Sequence, residues 1–360
     1  ENFKEMIDKN AYYVDKTNLI ENILNEQSVF FTRPRRFRKT LNMSMLYYFF
    51  SIKEKENAYL FNGLNISKNK EAIKHQNQYP TLFITLKDMK NSSYEKQMNR
   101  FKEVICLCAK SHLELLNSER LLASEKKLFQ KYVDNETEDN ELEKSLFNIS
   151  YFLYKHYHQK VIILIDEYDV PLQAAYQYNY YDEMVEFLRS VFSSALKTND
   201  ALEKGILAGC LSISKESIFT GLNNFKAYSI LYKSKNEYFG FTKKEILQLL
   251  KDYNLSDYVD EVKEWYDGYL FGNIEIYNPW STLMYVDCKL NSSDNKPISF
   301  WANTSGNDLV VNYIQNDSDE LHEEFEQLIQ GKSLTKYIKP ELTYREMDNI
   351  NNIYSFLLLT

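Results

Sequence analysis

Four short, nearly continuous apolar runs constrain this chain more than any other feature. They are Val29-Phe30-Phe31-Thr32, Thr81-Leu82-Phe83-Ile84-Thr85-Leu86, Val161-Ile162-Ile163-Leu164-Ile165 and Gly205-Ile206-Leu207-Ala208-Gly209-Cys210-Leu211. A strand with one wet face alternates polar and apolar residues. A continuous run needs cover on both faces, which a parallel sheet between helical layers supplies. The segments between the runs have helical spacing. Lys39 to Phe50 sets Leu41, Met45, Tyr48 and Phe49 on one side, and Tyr181 to Lys197 does the same with Met184, Val185, Leu188, Val191, Phe192 and Ala195. Two longer periodic stretches, 93–116 and 142–158, complete the alternation. The expected fold is α/β, a doubly wound parallel sheet with helices on both faces.

The texture changes after about residue 237. Thr242 followed by Glu245 is a capping-box pattern that starts a helix. Asn278-Pro279-Trp280 reads as a proline-started helix. We expect a core over 1–236, a small helical lid over 237–305, and a linker with the start of a further C-terminal domain over 306–360. Trp265, Trp280 and Trp301 read as lid core. The 360 residues are 44% apolar with a net charge of −8, enough to build a core and unlike an obligate, non-specific nucleic-acid binder. Four cysteines without a CxxC pair read as reduced thiols, which sets the expectation of a cytoplasmic protein. No apolar run reaches membrane-spanning length, so no membrane partner is expected.

Two segments carry chemistry. Thr32-Arg33-Pro34-Arg35-Arg36-Phe37-Arg38-Lys39-Thr40 lies between an apolar strand and an amphipathic helix, where a phosphate-binding loop belongs. Lys39 is placed to reach β- and γ-phosphate oxygens and Thr40 to bind Mg²⁺. The backbone N–H groups of Arg36, Phe37, Arg38, Lys39 and Thr40 are placed to cradle phosphate at the helix start. Neither glycine of the usual GxxxxGK[ST] pattern is present: Thr32 and Arg38 hold those slots. A basic turn capping a helix accounts for the same residues. The second segment, Ile163-Leu164-Ile165-Asp166-Glu167-Tyr168-Asp169, is an apolar strand that ends in paired carboxylates. Asp166 is suited to hold Mg²⁺ and Glu167 to activate a water. An acidic cap after a core strand is the competing reading.

These residues resemble the predicted AAA-ATPase-like family. The resemblance rests on Tyr13-Val14-Asp15-Lys16-Thr17, on the two segments above, on Ser214 to Asn224, on Trp265-Tyr266-Asp267-Gly268-Tyr269, on Tyr277-Asn278-Pro279-Trp280-Ser281 and on Trp301 to Gly306. It implies a P-loop NTPase core of the AAA/RecA-like kind, with ATP and Mg²⁺ as ligands and a helical lid. It also implies a C-terminal nuclease-like domain of the PD-(D/E)XK superfamily, through which nucleic acid would be a partner, and self-association through ATPase faces. The implied nucleotide-binding residues are Arg35, Arg36, Phe37, Arg38, Lys39, Thr40 and Ser212. The implied catalytic residues are Glu167, Asp166 and Lys39, and the implied metal ligands Thr40 and Asp166. This chain departs from the family at two positions, with Arg38 in place of the usual Gly and Ser212 in place of the usual Arg. Both an ATPase and a non-hydrolysing nucleotide sensor or scaffold fit those departures. Arg33, Arg35 and Arg36 are candidates for lining phosphates or a nucleic-acid surface. The nuclease-like spacing Glu261-Val262-Lys263 falls in an expected helix and carries no site.

Overall fold

In the computed structural model, residues 2–211, 225–292, 296–300, 319–349 and 352–359 are described. Ser212, the segment Ser214 to Asn224 and the segment Trp301 to Gly306 lie outside them. Five parallel strands form the main sheet: β1 (Ser28–Thr32), β2 (Thr81–Thr85), β3 (Val161–Asp166), β4 (Leu202–Gly209) and β5 (Phe225–Tyr228). Their order is β2-β3-β4-β1-β5. The apolar runs form β1 to β4, and β1, β3 and nearly all of β4 are buried on both faces. Helices on both faces cover them, so the continuous apolar pattern finds the environment it requires. The expected helices at Lys39–Phe50 and Tyr181–Leu196 form, with Met45, Leu46, Phe49, Met184, Leu188 and Phe192 all in the core.

This order puts β4 between the strand that leads into the basic loop and the strand that ends in Asp166. The carboxyl ends of β1, β4 and β3 therefore converge, and ligands of open α/β sheets bind at that edge.

The segment expected as a helical lid contributes helices Lys243–Asp252, Val259–Tyr266 and Pro279–Asn291. The Thr242–Glu245 capping box and the proline start both form. The segment also contains a three-stranded antiparallel sheet of order β6-β8-β7, from β6 (Phe241–Thr242), β7 (Asp267–Phe271) and β8 (Ile274–Tyr277). Its own apolar cluster gathers Phe241, Ile246, Leu249, Leu250, Val262, Tyr266, Tyr277 and Tyr285, and it takes in Val14 from the N-terminal segment. Two tryptophans depart from expectation. Trp265 and Trp280 are 47% and 43% exposed and are not lid core; Trp301 lies outside the described residues.

Candidate functional site

The basic loop runs from the end of β1 to the helix Lys39–Phe50, and its backbone takes the shape of an anion cradle. Arg36 and Arg38 both sit in the left-handed region, at φ 69° and 65°. Residues with a β-carbon rarely go there, at a cost of roughly 1–2 kcal/mol each. Such turns aim successive N–H groups into one concavity. The N–H groups of Arg38, Lys39, Thr40 and Leu41 have no hydrogen-bond partner among the described residues; the first intrahelical bond runs from Asn42 N–H to the Arg38 carbonyl. Four open donors at the start of a 12-residue helix suit an anion.

Lys39 is fully buried at the floor of this loop. Its Nζ donates to the carbonyls of Arg33 (3.1 Å) and Pro34 (3.3 Å), approaches Cys210 Sγ at 3.3 Å, and pairs with Glu167 Oε1 at 3.4 Å. Burial works against its charge, yet Cys210, Glu167, Asp169 and Asp166 outweigh burial and hold its pKa above the ordinary lysine value. Burial also pushes the Cys210 thiol up to about 12. At neutral pH that thiol is protonated, so the anionic partners of Lys39 are the carboxylates.

Asp166 ends β3 with no exposed surface. Among the described residues, neither of its carboxylate oxygens has a well-formed hydrogen bond. Burial, then the neighbouring Glu167, pushes its pKa up to about 7, while the Thr40 hydroxyl and Lys39 act against that rise. Buried carboxylate oxygens whose donors, the Thr40 hydroxyl and the Glu167 N–H, are poorly aligned remain costly. A divalent cation at Asp166 and Thr40 would satisfy them, so the residues present fit Mg²⁺. Glu167 follows in a left-handed conformation, φ 55°, a strained geometry of the kind that gathers at functional sites.

The expected residues therefore divide. Lys39, Thr40, Asp166 and Glu167 come together. Arg35 lies beside them: its guanidinium donates to the Gln173 side chain at 2.8 Å, and Asp169 and Glu167 favour its charge against burial. Arg36, Phe37 and Arg38 share the cradle backbone but turn their side chains to the lid. Arg36 stacks over Trp280 at 4.9 Å. Phe37 packs against Tyr269 (4.8 Å) and Phe271 (5.1 Å). Arg38 stacks on Phe241 at 4.6 Å and donates to the Val14 carbonyl at 3.3 Å. Arg33, a candidate phosphate or nucleic-acid contact by sequence, is a buried knot. It donates to the carbonyls of Thr32 and Tyr228 and to Asn236 Oδ1, and it stacks on Phe239 at 4.7 Å.

Sequence reasoning did not assign Asp169 and Cys210. Asp169 Oδ2 accepts from the N–H groups of Cys210 (3.0 Å) and Leu211 (3.1 Å), which ties the end of β4 to the exit of β3. Gly209 permits this approach, since a β-carbon there would lie 2.6 Å from Asp169 Oδ1. Glu167, Asp169 and Cys210 each offer a ligand atom within 4.8 Å of the others, but Lys39 is the cation among them. The signal was the third acid of the Asp166-Glu167-Tyr168-Asp169 run. The Tyr13 to Thr17 motif is structural. Asp15 and Thr17 accept from the backbone of Asn65 and Ile66, and the buried Lys16 pairs with Glu245 of the lid at 2.6 Å.

A parallel sheet with a strand–loop–helix cradle, a buried lysine in the loop and a carboxylate pair on a strand with one strand between defines a P-loop NTPase-like α/β protein. The family model described as predicted AAA-ATPase matches residues 1–219, and the chain belongs to that family. It is similar to an uncharacterized protein in the vnfD 5' region of Azotobacter chroococcum mcd 1, with 25% identity over 276 residues. That alignment covers 76% of this chain and 48% of the relative, so the chain spans about half the relative's length. No solved structure matches it significantly. Among the described residues, no helix is long and apolar enough to cross a membrane.

Proposed function

We propose that this chain is an ATP-binding P-loop module in which Mg·ATP binding and hydrolysis control an attached, nuclease-like effector domain. The observation that carries the reading is the pairing of four open N–H donors at Arg38 to Leu41 with the buried Lys39 beneath them. The cradle holds the β- and γ-phosphates, and Lys39 exchanges its bonds to the Arg33 and Pro34 carbonyls for phosphate oxygens. Thr40 and Asp166 hold Mg²⁺, which supplies charge neutralisation at the phosphates. Glu167 accepts a proton from the attacking water as the water oxygen bonds to the γ-phosphorus and the bond to ADP breaks. Self-association through the ATPase faces, and nucleic acid as the effector's partner, belong to the same reading.

One observation favours a second reading, a sensor that binds without turnover. Lys39 is held by two loop carbonyls and Glu167, and Arg38 anchors the same loop to Phe241. Calorimetric titration of Mg·ATP together with phosphate release separates the two. The ATPase reading expects binding with turnover, lost binding in Lys39→Ala, and retained binding with turnover reduced about 100-fold or more in Glu167→Gln. Binding without turnover selects the sensor. If the folded protein does not bind Mg·ATP, both readings fall.

A further inference from the structure

We propose that Tyr344 is a positioning residue for the phosphate site, acting on Arg35 through the helix that follows β3, so that docking of the C-terminal segment and occupancy of the cradle are coupled. The inference deepens the ATP-binding reading and rests on it. The helix Val170–Gln177 begins directly after Asp169 and carries two contacts of opposite origin. Gln173 accepts from the Arg35 guanidinium at 2.8 Å. Tyr176, three residues on and so on the same helical face, lies against the Tyr344 ring at 6.1 Å between centroids. Tyr181, at the start of the next helix, meets Tyr344 from another side at 6.2 Å.

Tyr344 is firmly held. It is fully buried, and Leu342, Phe356 and Leu359 of the same segment join the main core. The neighbouring Arg345 pairs with Asp182 and stacks over Tyr181. Burial raises the Tyr344 hydroxyl well above the ordinary tyrosine value, with Asp169 and Cys210 adding to the rise and Arg35 acting against it. The family match ends at residue 219, more than a hundred positions earlier. A segment outside that match thus packs against the helix that carries Gln173. Phosphate entering the cradle draws the Arg35 guanidinium away from Gln173, and any shift of that eight-residue helix reaches Tyr344 directly.

The test is a double-mutant cycle on the full chain with Mg·ATP affinity as readout. Arg35→Ala is expected to weaken binding about tenfold and Tyr344→Ala about threefold or more, with the double variant no weaker than Arg35→Ala alone. Tyr344→Phe keeps the ring against Tyr176 and is expected to bind like the parent. Independent additive losses, or a Phe variant as weak as the Ala variant, would overturn the proposal. Should Tyr344→Ala fail to fold, amide exchange of 342–349 at saturating Mg·ATP decides: greater slowing in the parent than in Arg35→Ala supports the coupling, and equal slowing in the two overturns it. Failure of the parent reading shows separately, as absence of Mg·ATP binding in the unmodified protein.

Discussion

At the scale of single residues, the site is built from groups that would not choose their surroundings. Asp166 is the sharpest case. The unfolded chain titrates this carboxyl near 3.8, whereas burial, with Glu167 beside it, sets the folded value at about 7. Between those values the folded state keeps a proton that the unfolded state has lost. Stability therefore falls as pH rises through that window, and above about 7 the full cost is present. Asp166→Asn removes the titration. Its stability relative to the parent is expected to rise between pH 4 and 7 and then level off, by on the order of 4 kcal/mol at most, since each pKa unit is worth about 1.4 kcal/mol. Urea unfolding at pH 5 and pH 8 measures this. A difference independent of pH would mean that Asp166 is not held protonated by the fold. On the proposed ATP-binding reading, the same cost keeps a carboxylate ready for a divalent cation.

At the scale of elements, the basic loop seats on the segment expected as a lid. Three consecutive loop residues seat on three lid elements: Arg36 on Trp280, Phe37 on β7, and Arg38 on Phe241 of β6. The N-terminal segment adds the Lys16–Glu245 pair, in which Lys16 is 3% exposed and Glu245 is 23% exposed. Burial lowers Lys16 to about 8 against the pull of Glu245. Glu245→Gln isolates this pair, because glutamine can still serve the capping box. It leaves a desolvated ammonium, and the expected loss is about 1–3 kcal/mol, less than for a fully buried pair because Glu245 is partly wet. Adding Lys16→Met should recover most of that loss in denaturant midpoints. Equal losses in the single and double variants would place the energy elsewhere.

The same elements show what was legible in the sequence. Strands β1 to β4 were, because a run apolar on both faces has few other solutions. The hairpin β7–β8 was not, since its strands are short and half exposed, although Gly272-Asn273 between them is a hairpin turn signal, with Gly272 at φ 58°. That Lys39, Thr40, Asp166 and Glu167 come together could be read from local context. Asp169 to Cys210 and Tyr344 to Tyr176 could not, because each contact joins positions far apart in sequence. Arg33 misled for a related reason: its Tyr228 carbonyl and Asn236 partners lie about 200 residues away, and nothing beside it in the sequence announces burial.

At the scale of the whole molecule, the basic loop lies where the core of the parallel sheet meets the lid cluster, and the C-terminal segment packs into the core of the sheet. Val14, next to the Lys16 pair, belongs to the lid's apolar cluster, while Leu342, Phe356 and Leu359 belong to the core of the sheet. A ligand seated on the loop should therefore stabilise regions it never touches. At 100 times the dissociation constant, Mg·ATP should add about 2.7 kcal/mol to unfolding. The expected result is a single thermal transition that moves upward as a whole, with slower amide exchange in 241–277 as well as in the sheet. Lys39→Ala should abolish both effects. Stabilisation confined to the sheet, with exchange in 241–277 unchanged, would mean that the contacts of Arg36, Phe37 and Arg38 hold the lid in place without carrying the nucleotide state to it. The lid would then be a fixed wall, and any effector domain would have to receive its signal by way of Arg35 and the C-terminal segment.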